Sequence, residues 1–207
     1  RRCLVGSEMC IRDRSTSDDT KIIKNILFGE VWFASGQSNM EMPLDGFFGE
    51  PVFGAQDIIG KSINPQIRLI TVERNYSSTP LLNFDGKWEE SNPESSRYFS
   101  AVAYSFAKYI HESLEVPVGI ISSAWGGTPA EAWAEKSFLD DEFEPGIIIN
   151  NSEEKFEEYN PGYLFNAMLN PLIPFTLRGG IWYQGENNRE RAKPVSYTHL
   201  RAHETSP

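Results

Sequence analysis

The sequence is poor in cysteine, histidine and basic residues. Of its 207 residues, two are cysteines and three are histidines, and 19 lysines and arginines stand against 29 aspartates and glutamates. The formal net charge of −10 excludes a general nucleic-acid binder, because such proteins present basic surfaces to phosphate. No window approaches about 18 uncharged apolar residues, so no membrane span is predicted, and residues 1–14 lack the apolar region of a secretory signal peptide. With 40% hydrophobic residues, the chain is otherwise typical of one globular domain.

Both cysteines and two of the three histidines lie at the ends of the chain, where no hydrophobic pattern predicts an element. Residues 4–13 can be written in codons whose reverse complement translates to residues 195–204, and this DNA resembles a sequencing-library adapter read in both directions. We therefore expect residues 1–14 and 195–207 to be non-native, adapter-derived tails, and residues 15–194 to be a partial domain.

Without the two tails, the sequence has no cysteine and a single histidine, His111. The thiol content therefore gives no indication of the redox compartment. A native tail carrying His199 and His203 is the alternative, but two histidines without further ligands are a weak metal signal.

The hydrophobic pattern predicts an α/β fold. Four short apolar runs predict buried strands: residues 26–35, 67–72, 118–122 and 179–183. Apolar residues at spacings of three and four, from Phe99 through Val102 to Leu114, predict a helix over residues 99–115 with one face in the core. A helix followed by a continuous apolar strand is typical of a parallel sheet.

The segments between these elements predict shorter features: a surface loop at 43–65, a hairpin at Asp85–Gly86, helices near 130–136 and 163–169, and an acidic connector at 140–158. Glu131 and Glu135 are four residues apart, and we expect both on the solvated face of a helix.

Three turns rich in small and polar residues follow predicted strands: residues 36–40, 125–129 and 184–188. Parallel strands bring such turns to one edge of the sheet, where open α/β sheets bind ligands. In the first turn, Ser38 follows Gly36 and is a candidate nucleophile whose own N–H is available to an oxyanion. The turn is not a G-x-S-x-G elbow, because Met40 takes the place of the second glycine. A helix N-cap is the alternative role for Ser38.

The other two turns carry candidate binding groups. Gly126 and Gly127 allow a backbone N–H to approach a substrate oxygen, with a plain turn before a helix as the alternative. Gln184, Glu186 and Asn187 are candidates for side-chain donors or for orienting the serine, or alternatively they satisfy backbone groups at a strand end. Four aromatic residues near the strand ends are candidates for stacking on a sugar or for the core: Trp125, Trp133, Trp182 and Tyr183.

Together these blocks resemble the sialate O-acetylesterase family of carbohydrate esterases, within the SGNH-hydrolase superfamily. The matching blocks are GEVW at 29–32, GQSNMEMP at 36–43, FSAVAY at 99–104, SAWGGTPAEAW at 123–133 and WYQGENN at 182–188. One block alone is a weak signal, whereas their common order and spacing over about Leu27 to Asn188 is a strong one.

The resemblance implies a flavodoxin-like three-layer α/β/α sandwich with a central parallel sheet, here incomplete at its C-terminus. It also implies a serine esterase that removes acetyl groups from sugar hydroxyls through an acetyl-enzyme, without a metal or cofactor. By motif, Ser38 resembles the nucleophile, and the N–H groups of Ser38 and of Gly126 or Gly127 resemble part of the oxyanion hole. Asn187, with Gln184 and Glu186 as alternatives, resembles the side chain that completes it.

Supporting or substrate-binding roles are expected for five side chains of the matching blocks: Gln37, Asn39, Trp125, Gln184 and Glu186. The expected partner is an acetylated carbohydrate, with no nucleic acid and no membrane, and the sequence carries no signal for an oligomeric state. If the sugar is anionic, Arg97 or Arg178 is the expected counter-charge. The resemblance further implies a periplasmic or secreted protein.

The sequence departs from the family at the general base. Family members supply a histidine shortly after an aspartate near the end of the domain, and no Asp-x-x-His occurs here. His111 is expected on the helix face opposite the core. We therefore expect the catalytic His and Asp to be missing from this chain and the chain to be inactive or nearly so. The alternatives are an acetyl-xylan-type esterase and a non-catalytic glycan-binding module.

Overall fold

A computed structural model describes residues 10–16, 19–142 and 156–189 of the chain. The strands are β1 Cys10–Thr16, β2 Asp19–Ile26, β3 Glu30–Gly36, β4 Asn64–Thr71, β5 Glu89–Ser91, β6 Val118–Ala124 and β7 Gly179–Tyr183. The α-helices are α1 Ser38–Glu41, α2 Ala55–Gly60, α3 Pro93–Arg97, α4 Ala101–Leu114 and α5 Lys136–Glu142. Short 3-10 turns cover Ala130–Trp133, Glu157–Tyr159, Asn170–Leu172 and Glu186–Asn188, and a π-helical turn covers Phe165–Leu169.

The central sheet has the strand order β5-β4-β6-β3-β7. Strands β4, β6, β3 and β7 run parallel to one another, and only β5, at one edge of this sheet, is antiparallel to its neighbour. Gly36 is paired with Ala124 of β6 and with Tyr183 of β7. Three neighbouring strands therefore end at the same level, and the three polar turns that follow them lie side by side, as predicted.

Each face of the sheet packs against helices. On one face, Leu69 and Ile120 pack in a cluster with Tyr104 of α4. On the other face, Ile121 packs in a cluster with Met168 of the π-helical turn. The alternation of neighbouring residues such as Ile120 and Ile121 between the two clusters follows from the two-residue period of a strand. The predicted three-layer α/β/α sandwich is thus confirmed.

Helix α4 begins two residues later than predicted, because Ser100 is its N-cap and accepts a hydrogen bond from the Ala103 N–H (3.1 Å). The face of α4 that is buried in the core also differs from the predicted face. Ala103, Tyr104 and Ala107 are buried, whereas Val102 and Leu114 are exposed, so the expectation that the last two face the core is wrong. Small alanines let α4 approach the sheet closely, and Val102 then points away because each residue turns the helix by about 100°.

Other predicted boundaries and turns need correction. The strand predicted at 26–35 begins at Glu30, because Ile26 belongs to another strand. It is the last residue of β2, where it is paired with Cys10 of the antiparallel strand β1, and β1 was not predicted. β5 begins at Glu89, but no strand of the described chain lies between Thr71 and Asp85, so Asp85–Gly86 does not join two strands and the hairpin prediction is wrong. The Asp85 carbonyl instead accepts the Glu73 N–H (2.9 Å), which folds this segment back onto the end of β4.

The predicted loop at 43–65 contains α2 and buries Leu44 and Ile59, so it is only partly a surface loop. The helix predicted near 130–136 is a 3-10 turn followed by α5. Residues 163–169 are helical, as predicted. Most of the acidic connector, residues 143–155, lies outside the described residues, as do residues 1–9 and all of the predicted tail at 195–207. Among the helices that are described, none is long and apolar enough to cross a membrane.

Candidate active site

The first polar turn places Ser38 at the sheet edge through a glycine that no other residue replaces without strain. Gly36 has φ +145°, and a Cβ there would lie 2.0 Å from the Tyr183 carbonyl oxygen. The next residue, Gln37, donates its N–H to the same carbonyl (3.1 Å) and serves as the N-cap of α1. The chain therefore leaves β3 in contact with β7 and turns at once into α1, whose first residue is Ser38.

Ser38 is half-buried, and neither its hydroxyl nor its N–H has a hydrogen-bond partner among the described residues. The hydroxyl does not cap α1, since the N-cap position belongs to Gln37 and no side chain bonds there. The N-cap alternative for Ser38 is therefore wrong. A serine with a free hydroxyl next to its own free N–H has the two groups that a nucleophile and an oxyanion donor require.

The second turn packs directly against Ser38. The Trp125 N–H donates to the Gly36 carbonyl (3.1 Å), which fixes the start of the turn. A Cβ on Gly126 would lie 3.3 Å from the Ser38 Cβ and 3.0 Å from Glu41 Oε2, so a side chain there would crowd Ser38. The Gly126 N–H donates to Glu41 Oε2 (2.8 Å), whereas the Gly127 N–H has no partner in the part of the chain described.

The third turn is joined to the other two by side chains. Gln37 Oε1 accepts the N–H groups of Gly185 (3.4 Å) and Asn187 (3.3 Å). Asn39 donates to the Glu186 carboxylate, and the Asn187 side-chain amide donates to the Gly127 carbonyl. All of the site residues predicted in the three turns are thus brought to one edge of the sheet.

A buried polar cluster lies behind the third turn, and sequence reasoning missed two of its members. Asn188 is fully buried, and its Oδ1 accepts the Ala130 N–H (2.8 Å) and Gln184 Nε2 (2.8 Å). Its Nδ2 donates to Glu131 Oε2 (2.7 Å). Glu131 is only 4% exposed, so its predicted place on a solvated helix face is wrong, whereas Glu135 is exposed as expected. The 3-10 turn after Pro129 points Glu131 inward, and no local pattern in the sequence indicates that contact.

Gln184 belongs to this cluster. It is buried, and besides Asn188 its Nε2 contacts the Thr128 carbonyl (3.2 Å). Thr128 in turn accepts the indole N–H of Trp133 (2.9 Å), which is buried in the core. Of the aromatic candidates, Trp133 is therefore a core residue, whereas Trp182 and Tyr183 are partly exposed.

Glu41 and Arg74 form a pair on the other side of Ser38 that sequence reasoning did not identify. Glu41 Oε1 accepts Arg74 Nε (2.7 Å) and Nη2 (2.5 Å). The Arg74 guanidinium lies 5.4 Å from the centre of the Trp125 ring, within the range of a cation–π contact. Glu41, the last residue of α1, thus connects this helix to the Gly126 peptide and to the chain after β4.

Of the predicted charged residues elsewhere, Arg97 pairs with Asp45 (2.8 Å), and His111 and Arg178 lie at the far edge of the sheet from Ser38. His111 Nδ1 lies 2.7 Å from the Val116 carbonyl, next to the start of β6, so it is at the opposite edge of the sheet. Arg178 pairs with Glu30 (3.4 Å) at the start of β3, also at that edge. Among the residues described, no group of three or more His, Cys, Asp and Glu side chains is arranged to hold a metal ion.

Comparison with known proteins identifies the family. A profile of "Carbohydrate esterase, sialic acid-specific acetylesterase" matches residues 29–201. The sialate O-acetylesterase of Rattus norvegicus is 30% identical over 84% of this chain and 38% of its own length. The corresponding protein of Homo sapiens is 32% identical over 80% of this chain and 32% of its own length.

A crystal structure of a carbohydrate acetylesterase from Xanthomonas citri superimposes with a TM-score of 0.73 at 32% identity, covering 86% of this chain and 37% of that one. The chain spans about a third of the length of these relatives. The chain belongs to the carbohydrate esterase family of sialic acid-specific acetylesterases.

Proposed function

We propose that this chain carries the nucleophile and part of the oxyanion hole of a serine esterase that removes O-acetyl groups from carbohydrates. One observation carries the proposal: Ser38 has a free hydroxyl and a free N–H at the edge where the three polar turns meet. Membership of the acetylesterase family supports the reaction class, and the names of the relatives support sialic acid as the sugar.

In the proposed reaction, Ser38 Oγ attacks the acetyl carbonyl carbon and transfers its proton to a base. The bond between the acetyl carbon and the sugar oxygen then breaks, the sugar oxygen takes a proton, and an acetyl ester remains on Ser38. Water attacks this ester and releases acetate, restoring the serine. Each tetrahedral intermediate carries its negative charge on the former carbonyl oxygen, where backbone N–H donors stabilise it.

The contacts favour Gly127 over Gly126 as the backbone donor that assists the Ser38 N–H. The Gly126 N–H already donates to Glu41, whereas the Gly127 N–H is unpartnered within the described ranges. Asn187 stays a candidate for the third donor, and its side-chain amide would have to leave the Gly127 carbonyl to act there.

The general base is proposed to lie outside the described residues, because His111 is at the far edge of the sheet. The other two histidines, His199 and His203, fall in the predicted tail. We therefore expect the 207-residue chain to hydrolyse acetyl esters little or not at all, and a longer chain from the same gene to be active.

The test compares both chains on O-acetylated N-acetylneuraminic acid and on acetylated xylan. In the longer chain, Ser38→Ala should lower kcat by a factor on the order of 10⁴ or more, as removal of a serine nucleophile does elsewhere. Ser105→Ala, on the exposed side of α4, is the matched control and should leave kcat unchanged. Ordinary turnover that survives Ser38→Ala would overturn the proposal, and the preferred substrate identifies the sugar.

A further inference from the structure

Two cavities lie in line on the β4 side of Ser38. The first, of about 290 Å³, is bordered by Glu41 and Arg74 and by the end of β6. The second, of about 330 Å³, is bordered by Glu89 and Glu94. Thr71 and Tyr98 border both, so the cavities are neighbours along one groove. Glu41, which borders the first cavity, lies three residues after Ser38 in α1 and accepts the Gly126 N–H, so this cavity adjoins the turns that carry Ser38 and Gly126.

Tyr98 stands between the two cavities as an exposed aromatic side chain. It follows the last turn of α3, the residue is 75% exposed, and its hydroxyl has no hydrogen-bond partner among the residues described. Phe47, also partly exposed, borders the first cavity. An aromatic ring with an unused hydroxyl offers both an apolar face and a polar tip, a combination suited to a ligand that has apolar C–H faces and hydroxyl groups.

The charges along the groove are unequal. The first cavity has Arg74 together with Glu41 and Glu73, whereas Glu89 and Glu94 border the second without a basic side chain. In the described part of the chain, Glu73, Glu89 and Glu94 form no ion pair. Carboxylates accept hydrogen bonds from hydroxyls and repel other anions. The second cavity therefore fits an uncharged, hydroxyl-rich group and disfavours a second acidic sugar.

We propose that the two cavities form one glycan groove, which binds the acetylated sugar in the first cavity and an adjoining uncharged sugar ring in the second, against Tyr98. The identity of the sugar in the first cavity rests on the proposed function. The groove should therefore bind an acetylated sugar that is linked to another sugar more tightly than it binds a free acetylated monosaccharide.

The test is a binding titration of the 207-residue chain followed by nuclear magnetic resonance. The probes are N-acetylneuraminic acid and 3′-sialyllactose, in which the same acid is attached to two uncharged sugars. One stacking contact of about 1 kcal/mol corresponds to about fivefold in affinity, so the trisaccharide should bind about fivefold more tightly than the monosaccharide. Tyr98→Ala should abolish this difference, and Tyr98→Phe, which keeps the ring, should largely preserve it.

Tyr109→Ala is the matched control, because Tyr109 is a similarly exposed tyrosine on α4 (68%) that borders neither cavity. Equal affinity for the two probes, no binding of either, or an unchanged preference in Tyr98→Ala with an unchanged melting temperature would each overturn the groove.

Binding in the groove requires neither the Ser38 hydroxyl nor a base, so Ser38→Ala should keep the preference for the trisaccharide. Ser38-dependent hydrolysis by the longer chain without any Tyr98-dependent binding would overturn the groove and leave the proposed function standing. Tyr98-dependent binding without Ser38-dependent hydrolysis would overturn the proposed function and leave the groove standing.

Discussion

On the β7 side of Ser38, polar side chains are buried and bonded to one another, whereas on the β4 side they are exposed around a groove. Asn188 and Gln184 represent the first side, where every polar side-chain atom of the two except Gln184 Oε1 contacts a protein partner. Glu73 and Arg74 represent the second, where the Arg74 side chain is half exposed and Glu73 makes no ion pair among the described residues. Buried networks fix geometry because each broken contact is costly, and exposed groups stay available to a ligand. One side therefore holds the turns in place, and the other leaves its polar groups accessible at the surface of a cavity.

The largest effect on stability is expected from a substitution of Gly36, the last residue of β3, the strand that lies between β6 and β7. Gly36→Ala would place a Cβ 2.0 Å from the Tyr183 carbonyl oxygen, which forces β3 and β7 apart. We expect a loss of about 4 kcal/mol or more in the free energy of unfolding, or no folded protein. Urea unfolding followed by circular dichroism measures this loss.

Gly49→Ala is the control for Gly36→Ala, because Gly49 also has a positive φ (+79°) but no atom within 4 Å of an added Cβ. It should cost about 1 kcal/mol, from backbone conformation alone. Equal costs at the two positions would contradict the close contact between Gly36 and β7.

The second prediction compares two asparagines, one on each side. Asn188→Ala leaves the Ala130 N–H, Gln184 Nε2 and the Glu131 carboxylate without that partner in a buried site. We expect a loss of about 3 kcal/mol in the free energy of unfolding. Asn75→Ala, next to Arg74 on the open side, removes one exposed contact to the Tyr76 N–H and should cost less than about 0.5 kcal/mol. Similar losses for the two variants would remove the contrast between the sides.

The smallest effect is predicted at Glu41, where the two sides meet. Glu41→Ala removes the acceptor of the Gly126 N–H and the partner of Arg74. A local loss of about 1 kcal/mol should make exchange of the Gly126 amide hydrogen about fivefold faster, measured by nuclear magnetic resonance. Glu73→Ala is the matched control, since Glu73 borders the same cavity and makes no contact with Gly126. An unchanged exchange rate in Glu41→Ala would show that Glu41 does not hold the Gly126 peptide.

Much of the fold was predictable because local patterns decide it. The strand at residues 179–183 and the helical turn near 163–169 were predicted from apolar runs that are bounded by glycine and proline. The meeting of the three turns followed from the rule that parallel strands end at one edge. The errors fall where contacts between distant segments override the local pattern. Asp85–Gly86 resembles a hairpin turn, but its backbone is bonded to Glu73 at the end of β4.

The site divides in the same way. Ser38, Gly126 and Asn187 lie in short blocks whose composition is unusual enough to be noticed in the sequence. Glu131 resembles an ordinary helix-surface carboxylate, and only the fold brings it within 2.7 Å of Asn188, 57 residues further on. Arg97 and Arg178 were the expected counter-charges, yet Arg74 is the arginine that contacts Glu41, in the same helix as Ser38, because β4 is next to β6 in the sheet.

The sequence by itself determined the fold class, the position of the turn that carries Ser38 and the family, because these depend on hydrophobic period and on contiguous blocks of residues. The tertiary structure alone decided what surrounds Ser38. The strand order β4-β6-β3-β7 puts a closed polar network on one flank and an open groove on the other. These flanks are assembled from segments far apart in the chain, and their contacts arise only when the sheet forms, so no local pattern encodes them.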